Sequence, residues 1–117
     1  MSNQFIVAKF GGTSVADFTA MSRCADIVLA DPAIRLVVVS ASSGVTNLLV
    51  DISKQAQLHA RFERYARIET ITYAVLEKLQ QQALVGSAIE SLLQELKTLI
   101  SREGDFTDAE KDLLQSF

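Results

Sequence analysis

The sequence predicts an α/β fold in which parallel strands carry flanking helices, and three observations lead there. Two short segments, "QFIVAKF" (4–10) and "IRLVVVSAS" (34–42), are near-continuous apolar runs rich in β-branched residues. Such runs mark strands covered on both faces, as in a parallel sheet. The segment between them, "DFTAMSRCADIVLADP", repeats apolar residues at helical spacing, so strand, helix and strand form a βαβ unit. The remainder of the chain reads as helices.

The first strand, 4–10, ends at Lys9-Phe10 and runs into Gly11-Gly12. The first helix places Phe18, Met21, Ala25, Val28 and Leu29 on one face, and Asp31-Pro32 stops it because the residue before proline avoids the helical region. After the second strand, 34–42, Leu48, Leu49, Ile52 and Ala56 line a helix. Phe62, Tyr65, Ile68, Ile71, Val75 and Leu79 mark a longer one. Ile89, Leu92, Leu93, Leu96 and Ile100 mark a third, opened by a capping box at Ser87-x-x-Glu90,. A second capping box, Thr107-x-x-Glu110, starts a last helix bearing Leu113, Leu114 and Phe117,. This inventory does not balance, since two strands are a marginal sheet and the last helix runs to the end of the chain without a glycine cap. The chain therefore reads as the first part of a larger α/β protein.

Composition narrows the function classes. The 117 residues suffice for one small domain, and the net charge of −3 supplies no basic excess for nucleic acid,. Cys24 is the only cysteine, so neither an internal disulfide nor a cysteine metal cluster is expected. The N-terminus lacks the pattern of a signal peptide, and no apolar run approaches the roughly 20 residues of a membrane span. A cytoplasmic setting is the expectation.

Two stretches carry chemistry. In "AKFGGTSVAD" (8–17) a lysine at a strand end precedes two glycines and two hydroxyls. Neither GxxxxGK[ST] nor GxGxxG is present, yet backbone amides, a following helix N-terminus and a point charge are the parts of an anion site. A plain glycine turn with Lys9 in solvent accounts for the same residues. The second stretch, "VSASSGVTNLL" (39–49), brings Ser40, Ser42, Ser43, Thr46 and Asn47 to a strand end, with Gly44 permitting a bend,. Parallel strands deliver both loops to one sheet edge, where ligands of open α/β sheets bind. Five polar side chains exceed what one helix cap needs.

"KFGGTSVAD" resembles the N-terminal signature of the aspartokinases, in the amino-acid kinase superfamily, and "RLVVVSASSGVTNLL" resembles their second characteristic block. The likeness is strongest to the lysine-sensitive bacterial type. It implies a partial amino-acid kinase fold, with residues 1–117 as the N-terminal part of a truncated catalytic domain and the regulatory domains absent. It also implies ATP-dependent phosphorylation of the side-chain carboxylate of L-aspartate, with ATP and Mg²⁺ bound, in the parent enzyme. By resemblance, Lys9 is the catalytic lysine and Gly11 and Gly12 give amides to the phosphates. Ser14 sits beside them, Ser40 lies at the phosphoryl-transfer site, and Thr46 holds the substrate aspartate. No residue is assigned to a metal. The later glycine-rich nucleotide segment and the adenine pocket have no counterpart, so the isolated chain is expected to be inactive. A kinase of another acceptor, or a non-catalytic oligomerisation or regulatory piece, are the alternatives. Apolar faces without partners predict a homo-oligomer.

Other residues read as structural. His59 lacks a histidine or cysteine companion and is expected at the surface. Cys24 reads as a small core or boundary residue. Arg61, Arg64 and Arg67 recur every third residue and read as a solvated face with Glu63 and Glu69 nearby,. Tyr65 and Tyr73 are expected at the core edge.

Overall fold

Residues 5–79 and 82–117 are described by the computed structural model, and they divide into two units, Met1–Gly44 and Val45–Phe117. In the first unit, β1 (Ile6–Phe10) leads through a 3₁₀ turn (Gly12–Val15) into α1 (Phe18–Ala30) and then β2 (Ile34–Val39). β1 and β2 pair in parallel, with Val7 opposite Leu36 and Phe10 opposite Val39. The expected first strand loses Phe5, while Gln4 lies outside the described residues; the second ends at Val39 rather than 42. Asp17 caps α1 by accepting a hydrogen bond from the Ala20 amide at 2.8 Å. At the other end Asp31 accepts from the Ala33 amide at 3.0 Å, a turn that proline at the next position fits.

Burial in this unit departs from expectation. Ile6, Ala8 and Phe10 are half-buried, whereas Phe5, Val7 and Lys9 on the opposite face are exposed. Leu36, Val37, Val38 and Val39 are all exposed as well. Helix α1 contributes no buried residue, and Leu29, expected on its inner face, is 82% exposed; Ala25 is exposed too. The reason is geometric: a single helix cannot close over a two-stranded sheet. An open apolar cavity of about 470 Å³ remains, lined by Phe10, Val15, Met21, Val28, Val37 and Val39 among others. Val15 is the one buried hydrophobic residue of the unit among those described.

The second unit is helical: α2 (Val45–Lys54), α3 (Leu58–Leu76), α4 (Gln82–Ile100) and α5 (Asp108–Gln115). Its core joins Leu48, Leu49 and Ile52 of α2 to Tyr65 and Ile68 of α3, Leu93, Leu96 and Ile100 of α4, and Leu114 of α5, with Phe106 between the last two helices. These positions recur at helical spacing, as the apolar pattern requires. Ala56 is exposed beyond the end of α2, and Leu79 lies past the end of α3.

The capping box at Ser87 does not form. Ser87 and Glu90 are exposed inside α4, which is already helical at Gln82. Ala83 and Leu84 propagate a helix well, and one interior glycine, Gly86, costs only about 1 kcal/mol. The box at Thr107 does form: its hydroxyl accepts from the Glu110 amide at 3.2 Å, and the Glu110 carboxylate accepts from the Thr107 amide at 2.8 Å.

Arg61 is likewise not on a solvated face; it is fully buried. Its guanidinium donates to the carbonyls of Gln55 (2.6 Å), Arg102 and Gly104, and lies 3.9 Å over the ring of Phe106. Five donors in a planar fork suit this cluster of carbonyls better than any other side chain would. Gly104 bends the segment with φ of +89°, a conformation that favours glycine. Arg64 is half-buried, its Nη1 donating to the Ala60 carbonyl at 3.1 Å, so of the expected stripe only Arg67 is exposed, 3.6 Å from Glu63. Tyr65 is buried and donates to the Leu93 carbonyl at 3.3 Å, and His59 is exposed. Among the described residues no helix is long and apolar enough to cross a membrane.

Candidate functional site

The carboxyl ends of β1 and β2 lie side by side, and the loops that leave them are tied together. The Ser40 amide donates to the Phe10 carbonyl at 3.1 Å, prolonging the ladder by one bond. The Ser43 amide donates to the Gly12 carbonyl at 3.1 Å, and the Ser42 hydroxyl to the Val15 carbonyl at 2.8 Å. Gly44 turns the second loop with φ of +90°. The expectation that both loops share one sheet edge is met for residues 40–44, whereas Thr46 and Asn47 of the same stretch belong to the other unit.

Each glycine of the first loop has its own reason. A Cβ on Gly12 would lie 3.1 Å from the Ala41 carbonyl oxygen, so a side chain there would push the loops apart. Gly11 has extended backbone, φ −76° and ψ 178°, and nothing lies within 4 Å of a Cβ built on it. Among the described residues no packing requires glycine at 11, and the space beside its backbone is open. A bound group that approaches the backbone closely needs that opening.

Lys9 is the penultimate residue of β1, exposed, opposite Val38 in the register. Ser14 is exposed within the 3₁₀ turn and its amide donates to the Gly11 carbonyl at 3.0 Å. Ser40 is exposed immediately after β2. Lys9, Gly11, Gly12, Ser14 and Ser40 thus belong to one unit and cluster at its strand ends. Thr46 belongs to the other unit, where it is exposed in the first turn of α2.

Two further residues border the turn. The Cys24 thiol, half-buried, donates to the Ser14 carbonyl at 3.1 Å. Arg23 lines a cavity of about 340 Å³ together with Thr13 and Ser14, which adds a positive charge on that side. Neither was legible in the sequence, because each acts across ten residues from a helix whose periodicity marks only its apolar positions. Among the described residues no group of three acidic, histidine or cysteine side chains is placed to hold a metal ion. The arrangement offers a cation, hydroxyls and open backbone at a strand edge, which is the chemistry of anion binding.

A parallel strand pair that carries helices and brings its loops to one edge defines the α/β class of protein,. Residues 4–109 match the model of the amino acid kinase family, and the chain belongs to that family. Among curated proteins it is 48% identical over 97 residues to lysine-sensitive aspartokinase 3 of Escherichia coli, covering 83% of this chain and 22% of that protein. It is 49% identical over 73 residues to a Haemophilus influenzae aspartokinase 3 whose name marks it as considered inactive, covering 62% of this chain and 60% of that one. Among solved structures, E. coli aspartokinase III in complex with aspartate and ADP matches 97% of this chain with a TM-score of 0.90 and 45% identity. This chain covers 26% of that structure's chain, about a quarter of its length.

Proposed function

We propose that this chain carries the phosphate-binding part of an aspartokinase: the strand-end cluster receives the phosphates of ATP for transfer to the side-chain carboxylate of L-aspartate. The observation that supports this reading above the others is Gly11, a glycine that no packing among the described residues requires, two residues from an exposed lysine. The donor set fits a polyphosphate. Lys9 would face the transferring phosphoryl group, the Gly11 and Gly12 backbone and the Ser14 hydroxyl would line the phosphates, and Ser40 would lie at the transfer position. Mg²⁺ would arrive on the nucleotide, since no acidic cluster among the described residues is placed for it; its chemistry is to neutralise phosphate charge.

The acceptor needs little from the protein. A carboxylate with an ordinary pKa near 3.9 is already ionised at pH 7, so no general base is required. Its oxygen attacks the γ-phosphorus, the bond to the β-phosphate breaks, ADP leaves, and an acyl phosphate forms. Catalysis is then positioning and charge neutralisation. Lys9 supplies the charge, and Thr46, by likeness to the family, would hold the aspartate. In this reading the work is done in the cytoplasm.

The chain spans about a quarter of the solved relative, so catalysis is expected from a protein that supplies the remainder. The decisive experiment grafts these 117 residues onto the rest of the E. coli lysine-sensitive aspartokinase in place of the matching segment. Aspartate-dependent release of ADP is the expected result; ADP release with another carboxylate acceptor and none with aspartate would reassign the substrate. A second reading, a non-catalytic chain that retains the motif, is favoured by the similarity to the Haemophilus influenzae relative. It predicts a graft without turnover.

A further inference from the structure

We infer that Ser42 is a positioning residue for the glycine turn, holding the Gly12–Val15 backbone in the shape that receives phosphate; the inference rests on the phosphate reading above. The strand ladder ends with the Ser40–Phe10 bond, and beyond it the turn depends on other contacts. Three of its carbonyls are engaged by donors of the same unit: Gly12 by the Ser43 amide, Ser14 by the Cys24 thiol, and Val15 by the Ser42 hydroxyl.

These donors are not equivalent. The Ser43 amide is backbone, so any residue could supply it, and a thiol is a weak donor. Ser42 alone combines a strong donor, a short 2.8 Å contact and a side chain that crosses from one loop to the other over 27 residues. It is half-buried, and Val15, whose carbonyl it holds, is the unit's buried anchor. A hydroxyl has one proton to donate, and Ser42 spends it on Val15. It therefore acts through the turn rather than on a ligand, unlike the exposed Ser40. Releasing the Val15 carbonyl frees that peptide to rotate, and a carbonyl swung toward the anion repels it. The Ser14 amide bond to Gly11 would loosen with it.

The test compares Ser42→Ala and Ser42→Thr with the wild-type chain, using amide hydrogen exchange and titration with ATP and Mg²⁺ followed by amide resonances. Removing one oxygen from a half-buried position leaves the fold of the unit, which the amides of the β1–β2 ladder report. Loss of one hydrogen bond predicts that Ser42→Ala exchanges the Ser14 amide about fivefold faster and binds ATP about fivefold more weakly. Ser42→Thr restores both, and the amides of the β1–β2 ladder stay unchanged. Unchanged exchange at Ser14 overturns the proposal, as does faster exchange with undiminished ATP binding. A graft onto the E. coli enzyme that gives no turnover overturns the phosphate reading instead. The exchange comparison then decides alone whether Ser42 fixes the turn.

Discussion

Lys9 and Thr46 are the residues on which the proposed chemistry turns. In the grafted enzyme, Lys9→Ala removes the charge that opposes the phosphoryl oxygens, and turnover should fall on the order of 100-fold or more; near wild-type kcat would remove Lys9 from the site. Thr46→Val keeps the shape but loses the hydroxyl. A hydrogen bond to a charged group is worth about 1.5–3 kcal/mol, so the KM for aspartate should rise well over tenfold while that for ATP holds. Equal rises in both would make Thr46 only a helix-end residue. Arg61 belongs to stability instead. Arg61→Ala would strand buried carbonyls at Gln55, Arg102 and Gly104 and should cost at least about 3 kcal/mol, measured by urea unfolding followed by circular dichroism. The Lys9–Ser14 cluster was legible because it is contiguous along the chain. Arg61 was not: its acceptors are backbone carbonyls as far as 43 residues away, and a carbonyl leaves no trace in residue identity.

Among the elements, α5 shows how a local signal survives folding. Thr-x-x-Glu specified its start, and the structure adds what no local pattern holds: Arg102 donates to Glu110 at 3.1 and 2.5 Å. The Thr107 amide, followed by the Arg102 side chain, lowers the Glu110 pKa below its ordinary value. A carboxylate with a depressed folded pKa contributes stability above its unfolded pKa, near 4.3. That contribution is lost as pH falls through the folded value. Melting temperature should therefore drop below about pH 4.3, and Glu110→Gln should flatten part of that drop; identical profiles would mean that the pair is inert. The Ser87 signal failed because the same four-residue pattern occurs by chance inside a helix, and Ala83-Leu84-Val85 ahead of it carry the helix past. Strand identity was legible from β-branched residues, whereas cover was not, because composition records what a strand tolerates rather than what lies on it.

At the scale of the whole chain, burial is unequal between the units. Among the described residues ten form the core cluster, and all ten lie in the helical unit. The N-terminal unit exposes Val7, Leu36, Val37, Val38 and Val39, and sheet edges with such residues invite pairing. We propose self-association of this surface between copies: sedimentation should show a species larger than one chain, and a compact monomer at micromolar concentration would refute it. The sequence leads to the same expectation less specifically, from two strands too few for a sheet and helix faces without partners.

The bare sheet face also governs how far the charge of Lys9 reaches. Lys9 shares that face with Val7, and its ammonium stands in water of high dielectric constant. There a unit charge attracts another 4 Å away by about 1 kcal/mol, against about 4 kcal/mol at the effective dielectric constant near a protein surface. Ions of physiological salt weaken it further over about 8 Å. Covering the Val7 face with apolar material would therefore strengthen the pull of Lys9 on a phosphate severalfold in energy without moving an atom of the turn. The same ammonium is a weak lure on an open sheet and a strong one beneath a lid of hydrocarbon.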